Sequence, residues 1–502
     1  MAIRRYIADS DTTITNAYES NLTTRATGSN MGASDVSEVF TIYAQQDSSS
    51  FEAARILTQF PVSDITTDRA AGTIPASGSV NFYLRMFNAK HSETLPRNFN
   101  LVVAAVTRSW EEGTGLDMDG YTDLSYDGTG ANWVNAASGS NNWSLAGGDY
   151  YSDTSSSYTA SFSSGPEDME LDITPLVEQW LNSTGNILGS KTNYGVIVKF
   201  PDAQEDETRS YYTKKFFARG TQYFFKRPVI EARWDSSKQD DAGSFHVSSS
   251  LATGTENLNT IYLYNNIRGQ LRNIPALSTT GSIYVSVYSG SAGNVNPAGS
   301  KLNLPVGGGV VAKGDTEVTG GYVSTGIYSA SFAYVSSSIT KIFPVWHSGS
   351  QTDGTPIVFH TGSAITVKTF DSADYNPSLD IVTTITNLKK VYSRDEEARF
   401  RLHVRQRNPY PSIYTKAKSD PDNLIIEDVF YKIVRTIDDL DVVGYGTGTL
   451  NHTRLSYDVS GNYFDFPMEL LEKDYMYGIK FLYKLPNGFY KEKPYIFKFR
   501  VE

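Results

Sequence analysis

The chain has 502 residues, which corresponds to about three domains at roughly 150 residues per domain. Its 44 basic and 55 acidic residues give a formal charge of −11, so binding to the phosphates of nucleic acid is not expected. The absence of cysteine excludes disulfides, thiolate metal sites and cysteine nucleophiles. With 39% hydrophobic residues, the chain has enough apolar surface to fold.

No stretch approaches the roughly 18 consecutive apolar residues of a membrane helix, so no membrane partner is expected. The opening MAIRRYIADSDTT has two arginines but no apolar segment after them, which argues against a secretory signal. We therefore expect assembly in the cytoplasm.

Short runs rich in Val, Ile, Tyr, Phe and Thr alternate with Gly, Ser, Asn and Asp clusters, a pattern typical of antiparallel sandwiches. The predicted fold is mostly β. In a first domain at 1–236, strands are expected at 54–62, 80–87, 98–110, 194–200, 214–219 and 228–234. One short helix is predicted after Thr174, because Pro175 suits a first helical turn and one face then carries Leu176, Val177, Trp180 and Leu181.

The stretch between Trp110 and Gly165 is predicted to form long surface loops, because Gly, Ser, Asp and Asn dominate it. It also contains aromatic residues that either stack on sugar rings or fasten the loops to the sandwich or to a neighbouring subunit, and the second interpretation is favoured. These residues are Trp133, Trp143, Tyr150 and Tyr151, with Trp110, Tyr121 and Tyr126 nearby.

Within the same stretch, LDMDGYTDLSYDG brings four carboxylates close together in sequence. Oxygen ligands at short spacing are suited to calcium, although the order of an EF-hand loop is not met. A solvated turn is the favoured interpretation, and calcium is the only cofactor considered. The candidate ligands are Asp117, Asp119 and Asp123, with Asp127 following.

The polar run at 235–244 is typical of a linker, and two further β-sandwich domains, immunoglobulin-like or related, are expected at 245–370 and 371–502. Their strands include 260–264, 282–288, 321–334, 340–346 and 497–501. Asn487 and Gly488 predict a type I′ hairpin turn before the last strand.

In RFRLHVRQR, strand alternation places Phe400, Leu402 and Val404 on one face and basic side chains on the other. The basic face is either an interface for a polyanion or an ordinary set of cross-strand and intersubunit ion pairs, and the second is favoured. Its members are Arg399, Arg401, His403, Arg405 and Arg407.

Several segments of the first domain occur in the order seen in one family. An Asn30-Met31-Gly32 turn is followed by ARILTQFPV at 54–62, VVAAVTRSWEEGTG at 102–115, LDITPLVEQW at 171–180, NYGVIVKF at 193–200 and RPVIEARW at 227–234. This order resembles the DNRLRE-type domain. The resemblance implies a jelly-roll sandwich similar to carbohydrate-binding modules.

The remainder resembles virion structural proteins of large contractile-tailed bacteriophages. The segments that carry the resemblance begin with IYLYNNIRGQLRNIP at 261–275, and continue at 385–415, 430–449 and 455–481. The resemblance implies a protein of the virion exterior, at the neck, collar or tail, that docks to other neck, tail or capsid proteins and to further copies of itself. A carbohydrate-binding adhesin of the particle that recognises the host is the alternative.

No enzymatic activity is expected, because the six histidines form no helical pair of the metalloprotease type and there is no nucleophile elbow, Walker-A loop or dinucleotide fingerprint. A polysaccharide-cleaving enzyme is the third interpretation. It would need two carboxylates across a groove, for which Glu112 and Asp117 are the candidates.

Overall fold

The computed structural model describes residues 2–90, 95–117, 130–139, 141–183, 187–252, 257–277, 282–290, 299–304, 311–313, 316–349, 356–369, 380–407 and 423–502. These residues form two compact units, 2–235 and 236–502. Both are built from β-sheets, as predicted. The division of the second unit into two domains at 245–370 and 371–502 stays a prediction.

The first unit is a sandwich of two antiparallel sheets with helices at its connections. Its strands are β1 (Ile3–Ile7), β2 (Ser10–Thr15), β3 (Val36–Tyr43), β4 (Phe51–Gln59), β5 (Asn81–Met86), β6 (Phe99–Ala105), β7 (Asn135–Ala137), β8 (Asn141–Asn142), β9 (Ser157–Phe162), β10 (Met169–Asp172), β11 (Val196–Lys199), β12 (Tyr211–Phe217) and β13 (Val229–Arg233). The helices are α1 (Val62–Ala70), α2 (Thr174–Leu181) and α3 (Asp202–Glu205), with a 3₁₀ turn at Phe224–Lys226.

The smaller sheet has the order β1-β13-β5-β10, and the larger has the order β12-β3-β4-β11-β6-β9 with β2 also on β4. The N-terminal segment therefore completes both sheets, because β1 pairs with β13 and β2 pairs with β4. The main core contains Ile56, Val103 and Val198 from the larger sheet. Their neighbours Leu57 and Ile197 point to the opposite face and belong to a second apolar cluster. The larger sheet is thus buried on both faces, which explains its continuous apolar runs.

The predicted helix is α2, and its face with Leu176, Val177 and Trp180 lies in the main core. Helix α1 was not predicted. Its only buried residues are Val62 and Ile65, so the sequence lacks a clear apolar stripe. The strand predicted to reach Val62 ends at Gln59 instead.

The second unit contains twenty strands in its described residues. They are β14 (Asn259–Tyr264), β15 (Asn266–Ile267), β16 (Gln270–Leu271), β17 (Ile283–Ser289), β18 (Val311–Lys313), β19 (Glu317–Ser324), β20 (Ile327–Phe332), β21 (Lys341–His347), β22 (Val358–Thr361), β23 (Ile365–Thr366), β24 (Ile381–Ile385), β25 (Val391–Tyr392), β26 (Glu397–Gln406), β27 (Val429–Arg435), β28 (Leu440–Val443), β29 (Ser456–Asp458), β30 (Gly461–Pro467), β31 (Met476–Lys484), β32 (Tyr490–Glu492) and β33 (Phe497–Val501). Two 3₁₀ turns occur at Asp241–Gly243 and Met468–Leu470.

Three main sheets organise these strands. The first has the order β14-β20-β19-β17-β21-β22, with β18 on β19 and β23 on β21. The others are β24-β26-β30-β29 and β25-β33-β31-β27-β28, with β32 on β31. Phe464 of β30 stacks on Tyr431 of β27 with ring centroids 4.3 Å apart, so these last two sheets pack face to face as a sandwich.

Two local predictions for strands and turns of this unit are corrected. The single strand expected at 321–334 is the hairpin of β19 and β20, which turns at Gly326 with a φ of 72°. The turn at 485–489 is not type I′, because Gly488 has a φ of 82° whereas Asn487 is not in the left-handed region. Instead, the Gly488 amide donates to the Leu485 carbonyl, which is typical of a three-residue hairpin loop with a glycine bulge.

The segment predicted to be a linker is ordered where it enters the second unit. The Tyr457 amide donates to the Lys238 carbonyl at 2.9 Å, and the Asp240 amide donates to the Tyr457 carbonyl at 3.1 Å. This segment therefore adds to the edge of β29. Its polar composition does not predict this, because backbone pairing requires no apolar side chain.

Candidate functional site

The predicted calcium loop is described only at its first carboxylate. Asp117 is 1% exposed, and its Oδ2 accepts a hydrogen bond from the Asn30 amide at 3.0 Å. Asp119, Asp123 and Asp127 lie outside the described residues. Within the described part of the chain, no three His, Asp or Glu side chains form a group suited to a metal.

Asn30 fastens the long loop to the sandwich. Its Nδ2 donates to the carbonyls of Glu112 at 2.9 Å and Ala131 at 2.8 Å, and its Oδ1 accepts from the amides of Gly32 at 3.1 Å and Gly115 at 2.9 Å. This buried amide uses both donor hydrogens and accepts twice. A Cβ at Gly32 would lie 2.1 Å from the Glu112 carbonyl oxygen, so only glycine allows this approach. The turn that carried the family resemblance thus has a structural role.

The aromatic residues of the loop pack largely inward. Trp143 is 5% exposed, belongs to the second apolar cluster and donates from its indole to the Asn132 carbonyl at 2.9 Å. Trp133 is half-buried against the same cluster, with the Arg55 guanidinium 5.0 Å from its ring. These rings close the outer face of the larger sheet.

The two tyrosines contact different parts of the unit. Tyr150 packs on the second cluster, and its hydroxyl lies 3.0 Å from the Nζ of Lys199. Lys199 is itself buried and paired with Asp202 and Glu205. Tyr151 packs against the main core, with Lys191 4.6 Å from its ring centroid. Tyr121 and Tyr126 lie outside the described residues.

The third interpretation, a polysaccharide-cleaving enzyme, needs two carboxylates that face a shared groove. Glu112 instead forms a salt bridge with Arg219, in which Nη2 contacts both carboxylate oxygens at 2.9 and 2.8 Å. Glu112 also accepts a hydrogen bond from the Asp11 amide at 2.9 Å. Asp117 is held by Asn30. Both carboxylates are thus engaged in fixing backbone and side chains.

The basic strand is β26, and its buried and accessible residues alternate as predicted. Arg399 forms a bidentate salt bridge with Asp465 at 2.7 and 2.9 Å, and Arg401 forms one with Asp458 at 3.1 and 2.7 Å. The first pair joins the neighbouring strands β26 and β30, and the second reaches across β30 to β29, so both balance charge within one sheet.

The C-terminal end of β26, with Arg407 just after it, has fewer ion pairs. Arg407 pairs with Asp380 at 2.8 Å. Arg405 is exposed and hydrogen-bonds only to the Gln406 carbonyl among the described residues. Carboxylates therefore balance Arg399, Arg401 and Arg407, whereas Arg405 has no carboxylate partner in the described residues.

A cleft in the first unit was missed by the sequence analysis. Its volume is about 680 Å³, and it is lined by Leu95, Pro96, Arg97, Ser164, Pro166, Arg209, Ser210, Tyr211 and Tyr212. These residues come from three segments far apart in sequence. No local motif could have indicated the site, because only the sheet order brings the segments together.

Comparison with known proteins gives no assignment. No protein-family model and no curated protein matches the chain. Among solved structures, Escherichia coli alpha-2-macroglobulin in its native conformation has a TM-score of 0.16 and 9% identity over 93% of this chain, and the trypsin-activated form has a TM-score of 0.15 and 7% identity over 89%. This chain covers 20% and 24% of those two chains.

A Ca²⁺-stabilised, ice-binding adhesin of an Antarctic bacterium has a TM-score of 0.14 and 10% identity, with 99% of this chain and 100% of the adhesin covered. At these TM-scores the overlaps do not establish a shared fold. No helix of the described residues is both long enough and apolar enough to span a bilayer.

Proposed function

We propose that this protein is a structural component of a tailed-phage virion, located on the exterior at the neck, collar or tail. It docks to other virion proteins and to further copies of itself, and it performs no catalysis. The assignment to a phage particle depends on the sequence resemblance. The docking role depends on where exposed apolar side chains lie.

The observation that carries the docking role is the exposure of large side chains on strands at sheet edges. Tyr212 on β12 is 50% exposed, and Val358 on β22 and Val391 on β25 are also exposed. In the hairpin that leads into β32, Phe489 is 72% exposed and Tyr490 is exposed beside it. Edge strands offer unpaired backbone groups, and aromatic residues are enriched in protein interfaces.

A second line of support is that the side chains that could bind a ligand or react are occupied in stabilising the fold. In the described residues, Trp143 is in the core, Asp117 and Glu112 hold backbone, and Arg399 and Arg401 are paired across strands. A building protein needs such internal satisfaction and shape more than reactive groups. Repetition around a symmetric particle then multiplies individually weak contacts.

The glycan-binding alternative stays a prediction. A glycan array with the intact chain tests it directly, and specific retention on one sugar class would favour an adhesin of the particle.

Mass spectrometry of purified particles, and of separated heads and tails, tests the proposed function. We expect the chain in intact particles at a fixed copy number and enriched in the tail-and-neck fraction. Absence from particles that are otherwise complete would contradict the proposal.

A further inference from the structure

The cleft beside β12 has a wall that is held in place from two sides. The Glu167 carboxylate accepts hydrogen bonds from the backbone amides of Ser163 at 3.1 Å, Ser164 at 2.6 Å and Gly165 at 2.6 Å. From the interior of the unit, the buried Lys214 Nζ donates to the carbonyls of Gly165 and Glu167, each at 2.7 Å. The loop at 163–167 is therefore fixed before any ligand arrives, which lowers the entropic cost of binding.

A close backbone contact joins this loop to the opposite wall. Gly165 has a φ of 99°, and a Cβ there would lie 2.6 Å from the Pro96 carbonyl oxygen. The cleft is thus bounded by Pro96 and Pro166, two rigid apolar residues, and by the ring of Tyr212. Its volume of about 680 Å³ is in the range of about 300–1,000 Å³ that ligand sites occupy.

Two guanidinium groups line this cleft. Arg97 and Arg209 are both exposed, and within the described part of the chain neither is paired with a carboxylate. The nearby carboxylates have other partners, since Glu167 holds its loop and Glu207 accepts from the Tyr211 hydroxyl at 2.8 Å. Guanidinium groups that have no carboxylate partner are suited to bind the carboxylate groups of a ligand.

The cleft also borders an open strand edge. Strand β12 is the last strand of its sheet, and beyond it residues 87–89 pair only with its far end, through Lys215 and Phe217. In the described residues, the end at Tyr211 and Tyr212 has no backbone partner on that side. An extended peptide can hydrogen-bond to such an edge, whereas a sugar chain has no backbone that matches it.

We infer that this cleft binds an acidic, extended peptide segment of a partner protein, with carboxylates at Arg97 and Arg209 and peptide backbone along the start of β12. The inference rests on the proposed docking function and names the chemistry of one docking contact. The alternating geometry of a strand would send every second side chain of the peptide into the cleft.

Fluorescence anisotropy with the full chain and a labelled peptide of four Thr-Glu repeats tests this inference. We expect saturable binding that weakens with salt, and no binding of the matching Thr-Lys and Thr-Gln peptides. The double variant R97Q/R209Q should bind at least about tenfold more weakly, a loss of about 1.4 kcal/mol. Because both side chains are exposed, the variant is expected to keep the wild-type unfolding midpoint.

Arg405→Gln is the matched control, because Arg405 is another exposed arginine with no carboxylate partner in the described residues. It should leave peptide binding unchanged. The inference is overturned if the Thr-Glu peptide does not bind, if R97Q/R209Q binds it as the wild type does, or if oligogalacturonate binds at this cleft and the peptide does not. None of these results bears on the proposed function, which is tested separately by whether the chain is found in particles. Absence from particles would refute the proposed function whatever the peptide does.

Discussion

Glu231 in the first unit and Asp240 in the second are both buried carboxylates, at 2% and 4% exposure, but their surroundings differ. Glu231 accepts from the Nε atoms of Arg5 and Arg233, each at 2.6 Å, and from Arg85 at 3.2 Å. Asp240 accepts from the Ala242 amide at 3.1 Å, and no arginine or lysine pairs with it in the described residues.

The pKa values therefore move in opposite directions. Burial opposes the ionisation of Glu231, but Arg5, Arg85 and Arg233 together hold its pKa far below the usual value. Burial raises the pKa of Asp240 to about 7, and the negative charges of Asp241 and Asp458 act in the same direction. Burial alone thus does not determine how a carboxylate responds to pH, because the number of facing cations decides the sign.

The consequences for stability are opposite too. The stabilisation from Glu231 is complete above its unfolded pKa and is lost as pH falls through the lower folded value. The contribution of Asp240 is complete below its unfolded pKa, near 3.8, and is lost as pH rises through about 7. The first unit is therefore expected to be sensitive to acid at this site, and the second to neutral and alkaline pH.

The largest expected effect is from Glu231→Gln. Removal of this charge leaves three buried or half-buried arginines short of a partner, which costs about 3–5 kcal/mol. Urea unfolding at pH 7 measures the loss. Glu170→Gln is the control, because Glu170 pairs with Arg233 but is 45% exposed, and its loss should be below about 1 kcal/mol. Equal losses of unfolding free energy in the two variants would mean that the burial of Glu231 among arginines has no special importance.

The Asp240→Asn substitution should stabilise the protein at high pH, whereas Glu231→Gln destabilises it. The amide keeps an acceptor for Ala242 but has no charge, so at pH 9 the variant should be more stable than the wild type by up to roughly 4 kcal/mol. At pH 4 the two should differ little. Thermal unfolding over pH 4–9 measures this, with the exposed Asp474→Asn as the control. A variant that keeps the wild-type pH slope would refute the role of Asp240.

A smaller change sharpens the same comparison. Arg401 neutralises Asp458, whose charge raises the pKa of Asp240. Arg401→Gln should therefore shift the alkaline loss of stability to higher pH, and its direct cost should be about 0.2–1 kcal/mol, since the pair is partly exposed. The pH midpoint of the Asp240-dependent loss is the measurement. An unchanged midpoint would mean that Asp458 does not act on Asp240.

The sequence predicted elements whose signal is local. The alternation in β26 and the apolar face of α2 each depend on fewer than about a dozen neighbouring residues, and both appear where expected. Helix α1 lacked such a signal, and Gly326 turned one long β pattern into a hairpin. The order of 235–244 was also hidden, because its backbone pairs with β29.

The site features depended on distant residues and could not be predicted. Arg5 and Glu231 are 226 positions apart in sequence, yet they are cross-strand neighbours of β1 and β13. The walls of the cleft likewise come from 95–97, 164–166 and 209–212. One sequence shows which strands form but does not show their order in a sheet, and that order creates both features.

Immunogold electron microscopy of intact particles, with antibodies raised against the whole chain, tests the central claim most directly. A docked building protein predicts gold at one repeated position on the neck, collar or tail of nearly every particle. Particles without label, in a preparation whose unassembled protein is readily labelled, would contradict a structural role in the virion.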